Sequence, residues 1–176
     1  MEAQSTCASK TVTAKANADS SVYQKTPFRN YGTDPVLGVN PRTGERTRSL
    51  VRFDIPTIPT GCQVASPELR LYNSSPKAWR TIQALRLSGN WTESVVNWNN
   101  QPTTTGQAAT SFSPSAAAWM KWSVTAQVKG MYSSGNHGFL LRDAAEGSSV
   151  SVVQQFHSNQ TTAKVKRPPE LVITFN

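Results

Sequence analysis

Short stretches of alternating apolar and polar residues, each closed by a turn signal, recur along the chain and direct it to a β fold. The pattern predicts strands at Thr11–Ala16, Ser21–Tyr23, Val36–Val39, Ser49–Ile55, Glu68–Tyr72, Thr81–Leu87, Val95–Trp98, Lys121–Val124, Gly138–Arg142, Val150–His157 and Glu170–Phe175. Turn sequences such as Pro41-Arg42-Thr43-Gly44, Ile58-Pro59-Thr60-Gly61 and Ser133-Ser134-Gly135-Asn136 separate them. With no helices alternating between them, such strands build a sandwich of two antiparallel sheets. One short helix is expected at Thr125–Tyr132, with Val128 and Met131 facing inward. No internal repeat or dividing linker interrupts the 176 residues, so residues 1–176 read as one domain.

Alternation also assigns faces, because successive strand residues point to opposite sides. Val51 and Phe53 share one side and Arg52 and Asp54 the other; Leu69 and Leu71 point in and Arg70 out; Phe139 and Leu141 oppose Leu140 and Arg142. Three strands thus set an arginine opposite the core. If they lie in one sheet, they form an arginine stripe.

Charge bears on the partner. Eighteen Lys and Arg against ten acids give +8, which favours acidic partners. The basic residues are spread out, the densest clusters being Arg42 to Arg48 and Lys164-Val165-Lys166-Arg167. A basic arm of the kind that binds nucleic acid is absent, and so is an apolar run long enough to span a membrane. Met1 to Thr6 have neither the basic region nor the apolar run of a signal peptide, which reads as a removed signal or a piece of a longer polypeptide. The two cysteines, Cys7 and Cys62, are expected to form a disulfide in an exported domain, worth roughly 4 kcal/mol by chain entropy. The alternative is a pair of free thiols in a cytosolic protein.

Several motifs, in order, carry a resemblance. Ala18-Asp19-Ser20-Ser21-Val22-Tyr23 with Asn30-Tyr31-Gly32, then Arg48 to Ile55, Ile58-Pro59-Thr60-Gly61 and Leu69-Arg70-Leu71-Tyr72, lead to the most specific element, Trp91-Thr92-Glu93-Ser94-Val95-Val96-Asn97-Trp98-Asn99-Asn100-Gln101-Pro102. Phe139 to Asp143 and Pro168 to Phe175 follow. From about Thr11 to Phe175 the chain resembles the DNRLRE domain family. The resemblance implies an exported, jelly-roll β-sandwich of bacterial and archaeal surface or secreted proteins. Some members are similar to carbohydrate-binding modules for uronate-rich polysaccharides; others sit in large surface or toxin-delivery polypeptides. The cysteine pair and the Asn40–Arg48 hairpin depart from the family pattern.

Indole faces suit sugar rings. Of the five tryptophans, Trp91 and Trp98 belong to the structural motif and Trp122 alternates with core residues, whereas Trp79 sits in a turn flanked by cations and is the expected exposed platform, with Tyr31 a weaker one. Arg52, Arg70, Arg86 and Arg142 are the expected carboxylate-gripping side chains, unless Asp54, Glu68, Glu93 or Asp143 pair with them. No catalytic motif stands out; His157, Tyr132 and Asn159 are the nearest approach to a lyase site, and Glu93 reads as a hydrogen-bond anchor. No cofactor is required by the pattern, though calcium held by Asp19, Asp34 and backbone carbonyls is an expectation the jelly-roll class raises. The expected function is non-catalytic: binding of an acidic polysaccharide or cell-surface glycan by a secreted or surface module of a larger polypeptide. The alternative is a rigid spacer or assembly unit.

Overall fold

The computed structural model describes residues 6–176. Ten strands and one helix follow in order: β1 (Lys10–Tyr23), β2 (Val36–Val39), β3 (Thr47–Phe53), β4 (Glu68–Asn73), β5 (Thr81–Leu87), β6 (Thr104–Phe112), β7 (Ala118–Ser123), α1 (Thr125–Ser134), β8 (Phe139–Asp143), β9 (Gln154–His157) and β10 (Glu170–Phe175). All named strand pairs are antiparallel. The result is the expected all-β sandwich.

The long first strand serves both layers. Lys10 to Lys15 pair with β10, and Ala16 to Tyr23 pair with β3, with a register shift between Ala16 and Ala18 where the strand changes sheet. Two segments expected as separate strands are therefore one. The first layer runs β2-β9 and β1-β10 along one edge of β4, with β7 on its other edge; the second runs β1-β3-β8-β5-β6. Between the layers lie Val51, Phe53, Leu69, Leu71, Ile82, Trp122, Phe139, Phe156 and Ile173, all buried as alternation requires. Helix α1 sends Val128 and Met131 into this core, as expected, and closes one end of it. It is too short to cross a membrane.

The outer face of the second layer is not simply solvated. Ala18, Val22, Leu50, Leu85, Leu87 and Leu140 form a second apolar cluster there, covered by Trp91 and Val96, with Trp98 packed at its margin. The Trp91 to Pro102 segment is the cover. Its middle, Val95–Trp98, is a turn where a strand was expected, because the Asn97 side chain accepts the backbone N–H groups of Asn99 and Asn100 and so supplies a local alternative to a ladder. The expected strand from Val150 forms only from Gln154.

Cys7 and Cys62 are joined by a disulfide, which ties the lead into β1 to the turn before Val64. The hairpin after β2 closes with Asn40 paired to Thr47, Gly44 at a positive φ of 81°, and Gln24 Oε1 accepting from the Gly44 and Arg46 amides.

Candidate functional site

Register decides which side chains share a surface. Leu50 faces Leu140, and Gln83 faces Arg142, so Arg48, Arg52, Arg142, Gln83 and Thr110 lie on the outer face of the second layer. The anticipated stripe exists only in part. Arg70 lies on β4 in the other layer, bonded to Glu68. Arg86 is turned to the inner side, where the alternation of β5 puts it with Ile82 and Ala84, while Leu85 and Leu87 occupy the outer face around it. There it supports α1, donating from Nη1 to the Gly130 carbonyl at 3.3 Å; a Cβ on Gly130 would come within 2.7 Å of Arg86 Nε.

The two remaining arginines differ. Arg52 is committed: Nη1 donates to the Trp91 carbonyl at 3.0 Å, and the guanidinium lies 5.2 Å from the Trp91 ring centroid. Trp91 is in turn anchored by its indole N–H to the His137 carbonyl at 2.8 Å. Arg48 is likewise committed, bidentate to Glu146 at 2.7 Å and stacked at 4.7 Å on Trp98. Arg142 donates from Nε to Gln83 at 2.8 Å, and among the described residues its two Nη nitrogens bond to no protein acceptor. Its adjacent acid, Asp143, is buried and taken up bidentately by Arg80 at 3.0 Å.

Beyond Arg142, at the corner where β5 meets β6, two aromatic rings stand in solvent. Trp79 is 84% exposed and Phe112 is 69% exposed. Phe112 pairs with Thr81 on the outward side, one row from the Thr110–Gln83–Arg142 row. Strand spacing puts Phe112 and Arg142 Cα atoms about 12 Å apart, the span of a short oligosaccharide. Trp79 has φ 63°, alone among non-glycine described residues in the left-handed region. That backbone costs an L-residue about 1–2 kcal/mol. Nothing covers the ring to repay it. The loop is held by Ser113, buried beneath it: its hydroxyl contacts the Lys77 and Arg80 carbonyls at 2.6 and 3.1 Å and accepts the Arg80 N–H at 3.0 Å, while its carbonyl accepts the Trp79 N–H at 3.0 Å. The platform is thus rigid from below and bare above. Phe112 was missed in the sequence because its strand was missed.

Tyr31 is half-buried against Tyr23, ring centroids 4.3 Å apart, with its hydroxyl bonded to Thr26. No hydrogen bond joins His157, Tyr132 and Asn159: Tyr132 donates to the Pro56 carbonyl, and His157 packs on Tyr72 with its pKa lowered by burial and by Arg167. An apolar hollow of about 340 Å³ beside the disulfide, lined by Ile58, Val64 and Tyr132, is remote in sequence from the aromatic corner and offers Lys129 as its only charge.

Asp19 is 1% exposed. Burial pushes its carboxyl up to about 7, against the lowering pull of the Asn159 backbone N–H and with a further push from Glu93. Asp34 lies in a neighbouring loop, where its backbone carbonyl accepts from the Ser158 hydroxyl. Among the described residues no three His, Cys, Asp or Glu side chains group as a metal centre.

The outer face of the sandwich thus carries a solvent-facing aromatic corner beside a guanidinium whose Nη groups bond to no described residue. Residues 10–175 match carbohydrate-binding module family 96, and the chain belongs to that family. The match carries the carbohydrate-binding class; it does not carry the DNRLRE name. Comparison with curated proteins finds no match.

Proposed function

We propose that this chain is a non-catalytic module that binds an acidic, uronate-type polysaccharide at the Trp79–Phe112 corner and the adjoining Arg142 row. The observation that carries the reading is Trp79 itself: a large ring held 84% exposed on a strained backbone above a hydrogen-bonded loop. Such strain persists where the surrounding structure enforces it, and ligand contacts are where it concentrates. A pyranose stacks on the rings, and Arg142 takes a carboxylate with its free Nη groups while Gln83 steadies Nε. Arg48 and Arg52 act as frame rather than grip, since the Trp98 and Trp91 faces already hold them. The net charge of +8 draws a polyanion to the surface. The disulfide fits export, and export fits a module within a larger secreted or surface polypeptide.

Calorimetric titration with polyuronate, polysulfated and neutral glycans at two salt concentrations tests this. Binding strongest to polyuronate and weakening with salt supports the reading; preference for a neutral glycan without salt dependence contradicts the acidic ligand. The commitment of Arg48 and Arg52 to internal partners favours a second reading, a rigid spacer or assembly unit. Absence of binding to every glycan at millimolar concentration selects it.

A further inference from the structure

Three segments far apart in sequence meet at Asp19. Its Oδ2 accepts the Asn159 N–H at 2.7 Å, and its own N–H donates to Glu93 Oε1 at 2.8 Å. The same Glu93 oxygen accepts from Gln160 Nε2 at 2.9 Å. Glu93 is fixed from behind as well: Asn30 Nδ2 donates to its carbonyl at 2.7 Å, and Gly32 packs so closely that a Cβ there would sit 2.2 Å from that oxygen. Within this knot, three buried side-chain oxygens have no hydrogen-bond partner: Asp19 Oδ1, Asn159 Oδ1 and Gln160 Oε1. Every one is an acceptor when Asp19 is ionised, and leaving such atoms buried and bare costs about 1–3 kcal/mol each. Nor does a cation balance the acids. Among the described residues neither Asp19 nor Glu93 takes part in an ion pair.

We propose that Asp19, Glu93, Asn159 and Gln160 bind a calcium ion. The donors are two carboxylates and two amide carbonyls, all oxygen, which is the hard set calcium takes; water and backbone carbonyls complete its usual six to eight ligands. This set replaces the pair Asp19 and Asp34 expected from the sequence. The ion would satisfy the bare oxygens, offset the two adjacent acids, and fasten three parts of the fold: β1, the head of the Trp91–Pro102 cover, and the loop after β9. The site stands apart from the aromatic corner, so it holds or fails independently of which glycan binds.

The test uses the whole chain, stripped with a chelator. Terbium, a calcium surrogate, should show emission sensitised by Trp91, two residues from Glu93, and calcium should displace it. Calcium at ~100-fold above its dissociation constant should raise the melting temperature by roughly 5–10 °C. Magnesium, which demands tighter octahedral geometry and keeps its waters, should raise it less. Asp19→Asn should abolish both responses. Gln160→Ala, in a half-exposed loop and expected to fold normally, should weaken calcium binding at least about tenfold, the range seen when coordination shells are disturbed. The proposal is overturned by the absence of emission and of any melting shift at calcium up to about 10 mM, above the ~0.1–1 mM of weak extracellular sites. Responses that persist in both variants, or an equal shift with magnesium, overturn it too.

Discussion

Replacing Trp79 by glycine should separate the ring's role from its cost. At φ 63° the indole-bearing residue sits where glycine is at home. Relief of left-handed strain is worth about 1–2 kcal/mol, and the greater freedom of glycine in the unfolded chain returns about 0.4–1 kcal/mol of that. With the ring 84% exposed, little buried surface is lost. Trp79→Gly should therefore be neutral to about 1.5 kcal/mol more stable than the parent in urea unfolding. Trp79→Ala keeps the strain and should stay within about 0.5 kcal/mol of the parent. Both should bind polyuronate roughly fivefold more weakly, the equivalent of about 1 kcal/mol of stacking. Stability and affinity thus move in opposite directions in one variant. A Trp79→Gly protein destabilised by more than ~1 kcal/mol would show that the ring packs, and unchanged affinity would remove it from the ligand site.

Three further outcomes follow from the same contacts. Replacing Cys7 and Cys62 together by serine opens a link spanning 55 residues and should cost about 4 kcal/mol by loop entropy, read as a fall of roughly 8–16 °C in melting temperature. Trp91→Phe keeps most of the apolar cover but strips the His137 carbonyl of its 2.8 Å donor, and should cost about 1–2 kcal/mol in chemical denaturation; Trp91→Ala, which also uncovers the outer cluster, should cost about 3–5 kcal/mol. Arg80→Ala leaves Asp143, 1% exposed, without its bidentate partner; the loss should approach about 3 kcal/mol, the lower end for a broken buried pair because Arg80 itself reaches water.

Thr81–Leu87 was legible because residues buried in the core alternate with half-exposed ones, and Val36–Val39 and Glu170–Phe175 because they are short apolar runs buried on both faces. All three form within the bounds the sequence indicated. Edge strand β6 was not legible, since Thr104–Phe112 is bare enough on both faces to carry no apolar period, and Gly106 at φ 76° breaks its register. Phe112 went unseen with it. The inward place of Arg86 was legible too, since the alternation of its own strand puts it with Ile82 and Ala84; grouping it with the outward arginines passed over that period. Leu140, read as facing away from Phe139 and Leu141, is buried together with Leu50 by a second layer of cover that only the folded Trp91 to Pro102 segment reveals. Trp79 could be singled out because its turn was readable and its neighbours are cations. The Asp19 cluster could not, because Glu93 and Gln160 lie 74 and 67 residues from their partners and no local spacing records the meeting.

The central claim, that a glycan is held at the Trp79 corner, is tested most directly by the indole N–H resonances of the five tryptophans during titration with an oligouronate. Trp122 and Trp91 donate to the Ile82 and His137 carbonyls inside the fold, so their signals serve as fixed internal references. The account predicts that the Trp79 resonance moves progressively and saturates, with Arg142 side-chain signals moving alongside it and those of Trp91 and Trp122 unmoved. A still Trp79 resonance at saturating ligand, or a shift confined to another tryptophan, would contradict it.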